Sequence, residues 1–181
     1  MKYPDYTNSI TNLACSVLKY HGVKDVKHST LPQLDLILNE KRPKNVVIML
    51  FDGMGISIIN RFLHNNSFIK RHTVKTLSST FPPTTTAATT SVNSGMTPME
   101  TGWLGWFSYF KEVDENVVTF SSIRQSDGET KPCDYNLAYT LLPYKTLSAQ
   151  ISETEPEIKC MDVAPFNVNP WDKTVISSSV R

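Results

Sequence analysis

The stretch Asn45-Val46-Val47-Ile48-Met49-Leu50-Phe51-Asp52-Gly53-Met54-Gly55 decides the fold. From Val46 to Phe51 it is apolar at every position, with β-branched residues at Val46, Val47 and Ile48. A run apolar on both faces predicts a central strand of a parallel sheet, covered on both sides. Asp52 closes it, two glycines follow within three positions, and Ile56, Ile59 and Leu63 then recur at helical spacing. The order is strand, tight turn, helix. In open parallel sheets ligands bind at the carboxyl ends of the strands. Asp52 therefore stands where a carboxylate can hold a metal ion, with Gly53 and Gly55 allowing a sharp turn. The same aspartate also suits a plain role as the cap of the next helix.

Upstream, residues 9–21 predict an amphipathic helix from the spacing of Ile10, Leu13, Ala14, Val17 and Leu18. Asn8 or Ser9 can cap it, and Gly22 can end it. A second helix is expected over 32–39, with Pro32 in its first turn and Pro43 breaking the chain beyond it. Downstream, 72–77, 117–120 and 158–163 are strand candidates, and 135–142 and 145–151 are helical. Alternating strands and helices predict an α/β fold, a mostly parallel sheet covered by helices on both faces. Residues 1–44 are expected to form a helical extension, and 45–181 part of a catalytic domain.

A second segment carries chemistry: Phe81-Pro82-Pro83-Thr84-Thr85-Thr86, running through Ser94-Gly95 and Pro98 to Gly102. The two prolines hold the chain extended and place a threonine cluster at a helix start. The free amides and dipole of a helix start favour an anion there. A threonine hydroxyl becomes a nucleophile only when a base or a metal removes its proton. The plain alternative is a helix start decorated with caps and surface hydroxyls.

Taken together, Asn45–Gly55 and the Phe81–Gly102 segment resemble the alkaline phosphatase superfamily, in its type I phosphodiesterase and nucleotide pyrophosphatase branch. The resemblance is clear over residues 45–106 and rests on the combination of the two motifs. It implies an alkaline-phosphatase-like core, with Asp52 as a metal ligand and Thr85 as both nucleophile and metal ligand. It further implies two divalent ions, zinc or manganese, that hold the phosphoryl oxygens through in-line attack. A phosphothreonine intermediate would then be hydrolysed by water. A phosphomutase or phosphonate hydrolase of the same superfamily, and a non-catalytic binding protein, are the competing expectations.

The sequence departs from the family pattern at two points. Thr101 stands where a histidine often precedes the glycine, and Trp106 stands about where nucleotide pyrophosphatases carry a phosphate-contacting asparagine. Trp106 is therefore a candidate substrate-binding residue, and the position departs from the nucleotide-diester pattern. Trp103, Trp106, Phe107, Tyr109 and Phe110 form an aromatic cluster that suits either core packing or stacking on a base or aryl group. None of the three cysteines begins the Cys-x-Pro-x-Arg pattern of sulfatases.

The family's remaining ligands are downstream aspartates and histidines. Here all four histidines, His21, His28, His64 and His72, precede Thr85. Asp162, after a strand-like run, is the one later aspartate worth following. Zinc takes about four ligands, so the chain is expected to be the N-terminal part of a longer enzyme, inactive alone, whose remainder supplies the rest. The closing Ser177–Arg181 stretch is loop-like.

Composition narrows the partners. The 181 residues carry 18 Lys and Arg against 17 Asp and Glu, a formal net charge of +1. A nucleic-acid reader or a membrane-surface binder needs a basic face. No apolar run approaches the roughly 20 residues of a membrane span. The residues after Met1 are too polar for a signal peptide, and the cysteines form no CxxC pair. The expected partner is a small phosphoester, and the expected setting is the cytoplasm.

Overall fold

The computed structural model describes residues 3–162. They form a mixed α/β structure in which helices dominate. Helix α1 (Ile10–Tyr20) turns Ala14, Cys15, Val17 and Leu18 inward. Its start is fixed by Asn12, whose Oδ1 accepts hydrogen bonds from the Ser9 backbone and hydroxyl. It ends where Gly22 takes a left-handed φ of 76° and its N–H bonds to the Lys19 carbonyl. Helix α2 (Pro32–Lys41) starts on its proline and buries only Leu38. Two further short helices follow, α3 (Ile56–Phe62) and α4 (Phe68–Arg71).

Helix α5 (Thr85–Ser94) is capped by Thr84, whose hydroxyl oxygen accepts from the Ala87 N–H at 3.2 Å. It packs along α1. The two come so close at Gly95 that a Cβ there would stand 3.0 Å from Leu18 Cδ1. Helix α6 (Pro98–Thr101) leads into an antiparallel meander of β1 (Phe107–Phe110), β2 (Glu115–Val118) and β3 (Ile123–Arg124). Helices α7 (Leu137–Leu141) and α8 (Leu147–Thr154) close the described chain. The core has two centres. Leu147 and Ile151 of α8 meet Ala14, Val17 and Leu18 of α1. Trp103, Phe110, Val117, Phe120, Leu137 and Ala138 form the other.

The expected parallel sheet is not present among the described residues. The one sheet there is the antiparallel meander, and 45–51 forms neither strand nor helix. The cause is non-local. A ladder needs neighbours on its edges, and 45–51 makes no backbone hydrogen bond to another described residue. Nor is it covered: Val47 is 77% and Met49 71% exposed, and Val46 alone packs toward the α1–α8 core. The strand expected over 72–77 is likewise absent, although Ser78 makes a single parallel bridge to Ser9. Residues 158–162 form no strand. Val163 and the Ser177–Arg181 stretch lie outside the described residues.

Candidate active site

The two sequence-selected residues meet. Asp52 follows the uncovered apolar segment, and Thr85 is the first residue of α5. The Thr85 hydroxyl donates to the Asp52 carboxylate, 3.3 Å from Oδ1 and 3.3 Å from Oδ2. Both residues are exposed. The threonines on either side are committed elsewhere. Thr84 caps the helix and donates its own hydroxyl to the Leu104 carbonyl at 2.7 Å. Thr86 is fully buried. Of the three consecutive threonines, Thr85 alone presents its hydroxyl to Asp52 at the open surface.

The helix start favours an anion at this point, and the Asp52 carboxylate beside Thr85 opposes one. The first turn of α5 leaves N–H groups without intrahelical acceptors, and the helix dipole is positive at that end. No basic side chain sits in the first turn, so the local attraction comes from the backbone. The donor pair also suits a divalent cation. Two oxygens bound to one zinc at ordinary distances in a tetrahedron stand about 3.3 Å apart. The Thr85–Asp52 spacing of 3.3 Å is that of their hydrogen bond, and it leaves both oxygens close enough to share one ion. They fit as two of its donors and do not make a full set. Among the described residues no three of His, Cys, Asp and Glu converge on one point.

Three of the four histidines and Asp162 have partners elsewhere. His28 Nε2 lies 2.7 Å from Glu100 Oε2, and His21 Nδ1 lies 3.5 Å from Glu155. The His72 ring donates to the Phe68 carbonyl. Asp162 accepts from Ser148 of α8 at 2.9 Å. The aromatic cluster divides. Trp103 and Phe110 are buried, with the Trp103 indole donating to the Leu142 carbonyl at 2.9 Å. Trp106, Phe107 and Tyr109 stay about half exposed or more.

Two supports of the site escape the sequence. The first is the His28–Glu100 pair, which ties the loop after α1 to α6. Half of it has a signature: Thr97-x-x-Glu100 is a capping box, and Glu100 Oε2 accepts from the Thr97 backbone and hydroxyl. Burial alone would raise the Glu100 pKa. The Thr97 backbone N–H, the His28 ring and the Thr97 hydroxyl outweigh it and hold the carboxyl below its ordinary value. The second is Thr119, whose backbone N–H donates to the Trp106 carbonyl and whose hydroxyl donates to the Gly105 carbonyl. Nothing local in sequence marks that clamp.

Comparison with models of protein families, with curated proteins and with solved structures gave no match to this chain.

Proposed function

We propose that the chain carries the nucleophile end of a metal-dependent phosphoester hydrolase, a phosphodiesterase or phosphatase of the alkaline phosphatase superfamily. The observation that carries this reading is the convergence of Thr85 and Asp52 at the start of α5. Thr85 is the residue that attacks phosphorus, and the α5 backbone amides hold a phosphoryl oxygen. Asp52 and Thr85 would together hold one of two divalent ions, zinc or manganese. Such an ion supplies charge neutralisation and a lowered hydroxyl pKa.

The other ligands come from polypeptide outside the described residues. The segment 46–51, uncovered beyond Val46, supports this. It is apolar on every side, makes no backbone hydrogen bond to another described residue and ends at Asp52. Strands paired alongside it would make it the central strand of a parallel sheet with helices on both faces. Their carboxyl ends would then arrive beside Asp52, where ligands are needed. Trp106, close to the Thr84–Leu104 tie, is a substrate contact. A cytoplasmic setting belongs to the same reading, and it keeps Cys15, Cys133 and Cys160 as the free thiols seen here.

The test is hydrolysis of bis(4-nitrophenyl) phosphate by the full-length product of the gene, with zinc or manganese added. Turnover that disappears on chelation and returns with metal is expected, with the 181-residue chain alone inactive. Full turnover in the presence of chelator would overturn the reading.

A further inference from the structure

We propose that the outer faces of α3 and α4 form a basic, apolar surface that docks on a bilayer rich in anionic phospholipid. The chain-wide charge of +1 averages over an uneven distribution. Residues 53–99 hold Arg61, Lys70, Arg71 and Lys75 and no aspartate or glutamate, so this stretch stands at +4. A local excess of one sign is the electrostatic footprint of a surface that meets an anionic partner. Among the described residues, Arg61, Lys70 and Arg71 make no ion pair.

Helical spacing sorts α3. Ile56, Ile59 and Leu63 fall on one side, and Ile58, Arg61 and Phe62 fall on the other. Phe62 is 67% exposed, and the Arg61 guanidinium lies over its ring, 5.2 Å from the centroid. In α4 the same spacing joins Phe68, Arg71 and the cap residue His72. The Phe68 and His72 rings stack with centroids 4.3 Å apart, yet Phe68 remains 71% exposed. Lys70, on the opposite side of that turn, donates to the Asn60 carbonyl of α3 at 3.4 Å and to Asn65 Oδ1 at 3.3 Å. That contact ties the second Phe–Arg pair to the helix that carries the first. Neither helix buries a residue.

Chemistry selects the occupant. Ile58, Phe62 and Phe68 gain only where water is left behind, and Arg61 and Arg71 gain beside negative charge. The headgroup boundary of an anionic bilayer supplies both side by side. A nucleic-acid strand would attract the cations and stack on the phenylalanines, but it offers nothing to Ile58, which is 42% exposed. A sheet built on 46–51 would cover the Ile56–Ile59–Leu63 side of α3 and leave the Ile58–Arg61–Phe62 side free. The docking surface therefore stands apart from the chemistry at Thr85.

The experiment sediments the 181-residue chain with vesicles of phosphatidylcholine alone and of phosphatidylcholine with a third phosphatidylserine. Binding to a labelled oligothymidylate is followed in parallel by anisotropy. Partitioning onto the phosphatidylserine vesicles is expected to exceed that onto phosphatidylcholine by more than about tenfold and to fall as salt is raised. Arg61→Gln with Arg71→Gln should cut it about 25-fold. Phe62→Ser with Phe68→Ser should cut it by about tenfold or more. Val47→Ser with Met49→Ser, in the other exposed apolar stretch, should leave it unchanged. All six side chains are exposed, and unfolding midpoints check that each variant keeps its fold. Equal partitioning onto the two vesicles overturns the proposal, as does a loss in the Val47–Met49 variant as large as in the phenylalanine variant. Tighter binding to the oligothymidylate than to vesicles, or a phenylalanine variant that partitions like the unaltered chain, overturns it as well.

Discussion

The Thr85 hydroxyl lies 3.3 Å from each carboxylate oxygen of Asp52, although 33 residues separate the two in sequence. One residue closes an apolar run and the other opens a helix. Their meeting requires neither residue to be buried.

Because both residues are exposed, their hydrogen bonds add little to stability. Asp52→Asn is expected to change the unfolding free energy by less than about 0.5 kcal/mol. The same substitution should weaken zinc binding by the full-length protein. Thermal unfolding and a zinc titration read the two effects separately.

Gly95 sets how closely α1 and α5 approach. It has a φ of 73°, and a Cβ would press on Leu18 Cδ1 at 3.0 Å. Gly95→Ala should cost ~1–2 kcal/mol from the left-handed backbone alone. Urea unfolding of the variant should show the loss as a lower midpoint at unchanged slope.

Acid should loosen the support of α6. The Glu100 carboxyl is held below its ordinary value of 4.5, so its contribution to stability is complete above that pH and is lost as pH falls through the lower folded value. Glu100→Gln should flatten the pH dependence of stability in that acid window and leave it unchanged near pH 7 apart from a constant offset. Unfolding midpoints from pH 3 to 7 provide the check.

Cysteine reactivity should report the core. Cys15 is buried, and that burial pushes its thiol up to about 11, whereas Cys133 and Cys160 are partly exposed. Alkylation at pH 8 followed by peptide mass mapping should mark Cys133 and Cys160 first and reach Cys15 only on unfolding.

Local signals in the sequence were sound guides to local structure. The apolar stripe from Ile10 to Leu18, the N1 proline of α2 and the proline-fed start of α5 all act within a few residues of the element they define. Strand 45–51 failed as an expectation for the opposite reason. Its apolar pattern describes a need for neighbours on two edges and two faces, and among the described residues no neighbour meets it. At the site, the tight turn after Asp52 and the proline-fed helix start at Thr85 mark both residues. The Thr119 clamp and the His28 partner of Glu100 join distant segments, so no spacing rule reaches them. The aromatic cluster was visible, but its division into core and surface depended on the register of β1 against β2.

The central claim is that Thr85 is the nucleophile. Its most direct measurement is turnover of bis(4-nitrophenyl) phosphate by full-length Thr85→Ala, compared with Thr84→Ala and the unaltered protein at saturating zinc. Turnover should vanish in Thr85→Ala and persist, at a reduced rate, in Thr84→Ala, which loses only the cap and the tie to Leu104. Undiminished turnover in Thr85→Ala would contradict the account.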